Sequence, residues 1–491
     1  MCGIAGFFGN KDISKKIIDR TINLMSNRGP DASNFKKFNS KNNQVLLVHS
    51  RLSIIDLDKR SDQPFTDSGL CLIFNGEIYN YIELRDDLIK NGHKFKTNSD
   101  TEVILKSYLQ YGEDCVKYFE GMWSFAIWDD NLKKLFMSRD RFGEKPLYFY
   151  KNNEGIFFSS ETKFIKSLCE DTFYPNKEKL NKLFVNGYRT IHQDNSSFIE
   201  GIYSIEPSTN LSISSQRELK KYNYWKINSK IDTTLKLEDI INESRSKLIR
   251  SMKLRLRSDV PIAFCLSGGI DSSSLASIAV KELNQKITTF SIIDTDERYN
   301  EKKNIDIITK DLDCENHSVL LDNKNNLESL TKLINYHDAP ISTVSYFVHS
   351  FLSDLISKKK HKVAISGSAA DEIYTGYYDH YLLHLNDNVN HKNYSEILKD
   401  WETFVKPILR NPRLKNTKYY SENPDVCELS NFDHGRMVFE NLIDKEKNIK
   451  KLKNFSKNYM KNKMMNELFH ETVPIFLNQD DLNSMNRSIE N

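Results

Sequence analysis

The pattern of apolar residues changes near Leu237, and the two textures on either side of it demand different layer architectures. Before that point short runs rich in branched and aromatic side chains recur between turns: Val45 to Val48, Leu70 to Phe74, Ser124 to Trp128, Leu135 to Ser138, Leu147 to Tyr150 and Ile156 to Ser159. Each has the length and composition of a strand. Asp129-Asp130-Asn131 supplies turn chemistry for a hairpin between two of them. Helices interrupt the strands, one from about Ile13 to Met25 and one from about Thr101 to Tyr111, the second opened by Ser99-x-x-Glu102 in the form of a capping box. After Leu237 compact apolar strands (Ile262 to Leu266, Ile287 to Ile292, His317 to Leu320, Val363 to Ser366) alternate with helices after Asp271, around Glu301 to Leu312 and from Tyr346 to Lys358. Such alternation implies a parallel sheet covered on both faces. The expected layout is an α+β layered domain over 1–164, a connecting region over 165–236 and an α/β domain over 237–491.

Composition bounds the partners. A chain of 491 residues with 39% hydrophobic residues has room for two or three domains with ordinary cores. Lys+Arg 70 against Asp+Glu 67 leaves a charge of +3, so neither nucleic acid nor an anionic membrane is the expected partner. Seven cysteines without a C-x-x-C pair give neither a zinc site nor a disulfide framework, which fits a reducing cytoplasm. The start of the chain lacks a basic segment followed by an apolar core, and no apolar run approaches the roughly 18 to 20 residues that span a bilayer, so a cytoplasmic protein is expected. Stretches such as Asn39 to Asn43 and Asp322 to Asn326 read as solvated loops.

Two motifs carry chemistry. Cys2 stands in Met1-Cys2-Gly3-Ile4-Ala5-Gly6, and removal of the initiator methionine would leave an amine and a thiol on one residue. With a thiol pKa of about 8.5 and an α-amino pKa of about 7.7 to 8.0, the amine can take the thiol's proton near neutral pH. That combines nucleophile and base. The dipeptide alone has a bland explanation, since any protein can carry cysteine at position two. The second motif is Phe264-Cys265-Leu266-Ser267-Gly268-Gly269-Ile270-Asp271-Ser272-Ser273, where a strand ends and a helix begins. Paired glycines let the backbone approach an anion, and the helix N-terminus favours phosphate. No lysine follows the glycines, so this is not the G-x-x-x-x-G-K-[ST] loop, nor is it the G-x-G-x-x-G turn. A loop of this form suits pyrophosphate, with Asp271 placed to hold Mg²⁺ alongside phosphate oxygens.

Together these motifs resemble the glutamine-dependent asparagine synthetases. In the first half the resemblance also rests on Arg28-Gly29-Pro30-Asp31, His49-Ser50-Arg51-Leu52-Ser53-Ile54-Ile55-Asp56, Phe74-Asn75-Gly76-Glu77-Ile78-Tyr79-Asn80, Ser99-Asp100-Thr101-Glu102 and Arg139-Asp140-Arg141-Phe142-Gly143. In the second it rests on Ser267 to Ser273, Phe290-Ser291-Ile292 and Ser366-Gly367-Ser368-Ala369-Ala370-Asp371-Glu372, followed by Gly376-Tyr377. The resemblance implies an N-terminal-nucleophile domain of four layers (αββα) that acts as a class II glutamine amidotransferase, followed by an ATP-pyrophosphatase domain with a parallel sheet.

By this resemblance Cys2 attacks the side-chain amide of glutamine, and Asn75 and the Gly76 N–H form the oxyanion hole. Arg51 takes the substrate α-carboxylate, while Glu77 and Asp100 take its α-ammonium. Individually, Asp100 could cap its helix, Arg51 could make a surface ion pair and Asn75-Gly76 could be an ordinary turn. In the second half Leu266, Ile292, Ser366 and Gly367 would line the nucleotide pocket, and Ser267, Gly268, Gly269 and Ser272 would contact phosphates. Asp271 and Asp371 would hold Mg²⁺, although Asp371-Glu372 also suits a plain helix N-terminus. The implied partners are glutamine, ATP and a carboxylate acceptor, with a homodimer as one assembly open to the chain.

Departures from the family concern the acceptor. Ser368 and Ala369 stand where asparagine synthetases carry an acidic residue and then glycine, a position tied in the family to the aspartyl adenylate. The stretch from Tyr377 to Ser484 is longer than in the usual bacterial enzyme, and the sequence stops at Asn491 inside a motif that the family continues. The expectations are amidation of aspartate, the same chemistry on a uronic-acid carboxylate, or, with a truncated second half, glutaminase activity or a regulatory role alone.

Overall fold

A computed structural model describes residues 2–40, 43–228, 234–321, 326–427 and 451–491. Met1 and parts of the Asn39–Asn43 loop, the Asp322–Asn326 loop and the Tyr377–Ser484 stretch lie outside the described residues. The chain divides into two compact units, one of Met1–Asn176, Asn195–Gly367 and Leu477–Asn491, the other of Lys177–Asp194 and Ser368–Phe476.

Among its described residues the first unit contains two antiparallel sheets and one parallel sheet. The strands of the antiparallel pair are β1 (Gly3–Gly9), β2 (Ala32–Ser40), β3 (Asn43–Arg51), β4 (Phe65–Asp67), β5 (Leu70–Ile78), β6 (Gly121–Asp129), β7 (Lys134–Arg139), β8 (Tyr148–Lys151), β9 (Gly155–Ser159), β10 (Tyr203–Ser204), β11 (Thr209–Ile213) and β12 (Leu219–Asn223). They are ordered β10-β8-β9-β1-β3-β2 and β12-β11-β7-β6-β5-β4. Alternation along each strand explains how the sheets stack. Ile4, Phe8, Val45 and Leu47 of one sheet pack with Cys71, Ile73, Ala126, Trp128, Leu135 and Met137 of the other. Their neighbours face outward: Ala5, Phe7, Leu46 and Val48 meet helical residues Ile17, Ile18, Phe164 and Leu168, while Leu72, Phe74, Phe125 and Phe136 meet Ile104, Leu105 and Tyr108. Since side chains alternate faces with period two, the result is helix, sheet, sheet, helix. This is the expected αββα order. The Asp129 carboxylate closes the β6–β7 hairpin as expected, accepting the N–H of Asn131 at 3.0 Å and of Leu132 at 2.9 Å.

Two local features differ from expectation. The capping box is half made: Ser99 Oγ accepts the Glu102 N–H at 3.3 Å, but the Glu102 carboxylate takes the N–H groups of Lys96 and Thr97 instead of returning to Ser99. The reason is local geometry, because the carboxylate meets the buried Thr97 N–H, which needs an acceptor, together with the neighbouring Lys96 N–H. In addition, β1 is a full strand paired on both sides, with β3 and β9.

The parallel sheet comprises β13 (Ile262–Cys265), β14 (Thr288–Ile293), β15 (Glu315–Leu320) and β16 (Val363–Ile365) in the order β15-β14-β13-β16. All pairs are parallel, as the strand and helix alternation requires. The C-terminal ends of its strands therefore lie along one edge. Among the described residues no helix is long and apolar enough to cross a membrane.

The second unit is helical. Leu382, Leu383, Leu385, Trp401 and Tyr420 form its apolar core. Beside them, fully buried Glu467 receives Arg189 Nη1 at 2.8 Å and His380 Nε2 at 2.7 Å, and Lys463 meets Glu471 at 2.6 Å.

Candidate functional site

Strand parity assembles the first site. If Ile4 and Phe8 point between the two sheets, so does Cys2; Val45 and Leu47 carry His49 and Arg51 with them, and Cys71 and Ile73 carry Asn75 and Glu77. One end of the inter-sheet space thus collects polar groups where the rest of it is apolar.

Within that end, the Cys2 backbone N–H donates to Asn75 Oδ1 at 3.2 Å, and the thiol lies 4.0 Å from the Leu52 carbonyl oxygen. Burial pushes the Cys2 thiol up, so it rests protonated and needs a base at the moment of attack. Asn75 Nδ2 meets Ser124 Oγ at 3.4 Å, which with the Cys2 bond orients the amide. Gly76 has φ +145°, and a Cβ there would lie 2.0 Å from the Met122 carbonyl oxygen. Only glycine fits this close pairing with β6.

The backbone before Asn75 is pinned by side chains. β4 pairs with β5 no further than Phe65↔Leu72, leaving the Phe74 edge without a strand partner. Gln63 Oε1 accepts the Phe74 N–H at 2.6 Å, and His49 Nε2 donates to the Phe74 carbonyl at 3.1 Å. Because a carbonyl can only accept, His49 carries its proton on Nε2. Burial pushes this imidazole down to about 3, and Nδ1 has no hydrogen-bond partner among the described residues.

Three charged residues surround this end. Arg51 is 5% exposed and already employed: Nη1 donates to Asp62 Oδ1 at 2.6 Å and Asp58 O at 3.0 Å, and Nη2 donates to Asp56 O. It braces the loop from Ile55 to Asp62. Asp100 opens the helix Asp100–Tyr111 and accepts the Ile78 N–H at 3.1 Å, tying that helix to the end of β5. Burial pushes its carboxyl up to about 6. Glu77 is 4% exposed, with Oε1 lacking a hydrogen-bond partner among the described residues. Burial first, then the carboxylates of Glu490 and Asp100, drive it well above the usual range. A buried, half-satisfied carboxyl beside a second one suits an ammonium group.

The sequence motifs gave no role to Arg28, which is fully buried. Its Nε donates to the Cys2 carbonyl at 3.1 Å, Nη1 to Glu161 at 2.9 Å, and the two Nη atoms take Asp481 in a fork at 2.8 and 3.2 Å. No local pattern marks this, since Asp481 lies 453 residues away.

The second constellation sits at the C-terminal edge of the parallel sheet, where ligands of open α/β sheets bind. Leu266 continues β13, its N–H donating to Phe290 O at 2.8 Å. Ser267 to Gly269 then turn into the helix Ile270–Ser277. Serines satisfy the loop backbone: Ser272 Oγ accepts the Ser267 N–H and Ser267 Oγ accepts the Gly269 N–H, both at 3.2 Å. Gly268 has φ +85°. Half-buried Asp271 lies in the first turn of the helix, and Ile292 is half-buried near the end of β14. Ser366 and Gly367 follow β16, and a Cβ on Gly367 would lie 2.7 Å from the Ser272 N. That proximity brings the two glycine-bearing segments together. Asp371 belongs to the other unit, in the helix Ala370–Tyr374 behind Ala369 at φ +69°. There Gly376 packs against the Asp371 carboxylate, and Glu372 accepts from Tyr377 OH at 2.8 Å. Among the described residues no three His, Cys, Asp or Glu gather as a metal cage. A carboxylate with phosphate oxygens and water is nevertheless a donor set Mg²⁺ prefers, and each unit offers one, Asp271 in the first and Asp371 in the second.

Residues 1–225 match the glutamine amidotransferase domain family, and residues 243–491 match asparagine synthase. A Methanocaldococcus jannaschii protein assigned as glutamine-hydrolysing asparagine synthetase 2 is 34% identical over 408 residues, covering 77% of this chain and 76% of its own length. Glutamine-hydrolysing asparagine synthetase 1 of Bacillus subtilis is 32% identical over 385 residues, covering 77% of this chain and 59% of its own length. Synthetase 3 of the same organism is 31% identical over 398 residues, covering 77% and 63%. The chain thus spans less than two thirds of either Bacillus protein.

Proposed function

We propose that this chain, which belongs to the asparagine synthase family, is an ATP-dependent ligase that takes ammonia from glutamine and joins it to a carboxylate. The observation that carries the reading is the assembly of Cys2, Asn75 and Gly76 at the polar end of the inter-sheet space, with the Cys2 N–H on Asn75 Oδ1 at 3.2 Å. Freed of Met1, the Cys2 amine takes the thiol proton and the thiolate attacks the glutamine amide carbon. Negative charge on that oxygen falls to Asn75 Nδ2 and the Gly76 N–H, the C–N bond breaks, and the proton leaves with ammonia. Water then clears the thioester to glutamate. Arg51, its Nη1 and Nη2 held by the Ile55–Asp62 loop, brings its positive charge to the α-carboxylate, and Glu77 and Asp100 accept the α-ammonium.

Ammonia does not displace oxide from a carboxylate, so the acceptor must first be adenylated. Ser267, Gly268, Gly269 and Ser272 hold the phosphates, Leu266, Ile292, Ser366 and Gly367 the nucleoside side. Asp271, in the first turn after the glycine loop, would hold Mg²⁺, an ion that supplies charge neutralisation to pyrophosphate. An apolar patch starts at the first site and runs towards the parallel sheet: Leu52, whose carbonyl meets the Cys2 thiol, packs with Ile54, Ile55, Met485 and Val363, the first residue of β16. Neutral ammonia crosses such a patch more readily than ammonium.

Aspartate is the first acceptor to try. A sugar acid is the second reading, favoured by Ser368 and by Ala369, which holds a left-handed φ of +69° where the family carries glycine. The test is AMP and pyrophosphate release from ATP and glutamine across aspartate and a set of uronic acids. Release with aspartate alone selects asparagine formation, and release with a uronic acid alone selects the sugar reading. Glutamate release without AMP for any acceptor would leave a glutaminase and overturn the ligase.

A further inference from the structure

The connection that leads into β13 grips the glutamine end of the molecule. It leaves the helix Leu237–Arg255, and Arg257 Nη1 donates to Tyr79 O at 2.6 Å while its two Nη atoms take Glu83 in a fork at 2.6 and 2.5 Å. Two residues on, the Asp259 N–H donates to Ile54 O at 3.0 Å, and Asp259 Oδ2 accepts the Asp56 N–H at 2.7 Å. The parallel-sheet half thus holds both the loop after Arg51 and the chain just past β5. It also sends Glu490 to buried Lys145, at 2.5 Å.

Asp56 is where this grip meets the charges proposed to bind glutamine. It holds a left-handed φ of +52°, which aspartate adopts more readily than most residues. Its carbonyl accepts from Arg51 Nη2. Its Oδ2 accepts the Asn98 N–H at 2.7 Å and the Ser61 hydroxyl at 2.8 Å, and its Oδ1 accepts the Asp58 N–H at 3.2 Å. Asn98 precedes Ser99, the cap of the helix that Asp100 opens. Arg85 holds the acceptors of the same turn, Asn98 Oδ1 at 3.2 Å and Ser99 O at 3.0 Å, and leaves the Asn98 N–H to Asp56. Burial would raise the Asp56 carboxyl, yet the Ser61 hydroxyl and the N–H groups of Asn98 and Asp58 hold it below the usual range, so it stays an acceptor at neutral pH.

We propose that Asp56, fixed by Asp259, is a positioning residue for glutamine binding: its carbonyl sets Arg51 and its carboxylate sets the turn before Asp100. The inference rests on the glutaminase reading and deepens it. Glutamine carries its α-carboxylate and α-ammonium on one carbon, so the groups that take them must be held at a fixed separation. Asp56 bonds directly to both sides. Arg51 and the turn before Asp100 belong to different segments, and without this shared residue each would settle on its own.

The experiment is glutamate release from glutamine by the unaltered protein, Asp56→Gly, Asp56→Asn, Asp259→Ala and Asp259→Asn. Glycine keeps the left-handed backbone and removes the carboxylate, so Asp56→Gly should raise the glutamine KM about tenfold, the scale of one charge-assisted hydrogen bond, with kcat within about twofold. Asp56→Asn retains an oxygen for Asn98 and Ser61 and should recover most of that loss. Asp259 is exposed, so its variants should fold. Asp259→Ala should raise KM about threefold, and Asp259→Asn, whose amide oxygen still accepts the Asp56 N–H, should restore it. A purely structural role would reduce the amount of active protein, lowering kcat with KM unmoved, and that result overturns the proposal. Should Asp56→Gly fail to fold, an unmoved KM in Asp259→Ala overturns it equally. Absence of glutamate release from the unaltered protein would instead refute the glutaminase reading, and the proposal with it.

Discussion

Asp100 is held in the fold at a cost that its proposed ligand would recover. Its carboxyl is pushed up to about 6 by burial, against about 3.9 in an unfolded chain. A folded pKa above the unfolded one means that stability is fullest below pH 4 and declines as pH rises through about 6. Asp100→Asn keeps an acceptor for the Ile78 N–H and removes the charge. It should therefore raise the urea unfolding free energy at pH 8 by about 1 to 3 kcal/mol, with little change at pH 4, while weakening glutamine capture. His49 works on geometry. Replacing it by leucine should strand the Phe74 carbonyl, cost about 1 to 3 kcal/mol of stability and lower the glutamine-dependent kcat, with ammonia-supported turnover spared. Asn75→Ala should lower kcat for glutamine by about 10² to 10³ if its amide meets the oxyanion. Cys2 stood out by its own chemistry, while Arg51, Asn75, Gly76, Glu77 and Asp100 became candidates only through motifs shared with a family. His49 stood inside a quoted motif without a role, since its meaning depends on where β4 stops pairing with β5.

At the scale of elements, strand alternation made β3, β5, β6, β7, β8 and β9 readable, and the alternating strands and helices made the parallel sheet readable. The strand β1 was hidden by its glycines, which weaken a strand signal while here permitting tight pairing with β3 and β9. β10, β11 and β12 are two to five residues long, and exposed polar Leu219–Asn223 lacks an apolar face, so only pairing reveals them. Charged contacts between distant elements are the least legible layer. Arg28 joins the Cys2 carbonyl, Glu161 and Asp481 with no exposure. Arg28→Met takes the fork from buried Asp481 while Glu161 keeps Lys163, and should cost about 3 to 5 kcal/mol in denaturant unfolding. Burial would raise the Glu161 carboxyl, yet Lys163 and Arg28 hold it below the usual range. Its contribution is thus present above about pH 4.3 and lost on acidification, opposite in sign to that of Asp100.

For the whole molecule, the two proposed activities should separate. Cys2→Ala is expected to abolish glutamate release while ammonia still supports AMP formation with the right acceptor; retained glutamate release would remove Cys2 as nucleophile. The proposed nucleotide end could be picked out at Ser267 to Ser273 because a glycine loop between strand and helix is local. Its alignment with Ser366 and Gly367 follows from the parallel order β14-β13-β16, which no single segment contains. The buried cations Arg28 and Lys145 also have a history during synthesis. Their carboxylates Asp481 and Glu490 follow them by 453 and 345 residues, so a ribosome exposes both cations long before either anion exists. The amidotransferase half that emerges first can already pair Arg28 with Glu161, but it must wait for the Asp481 fork on Arg28 and for the Glu490 carboxylate on Lys145. Its final closure, and with it a fully formed glutamine pocket, comes only when the parallel-sheet half has been translated.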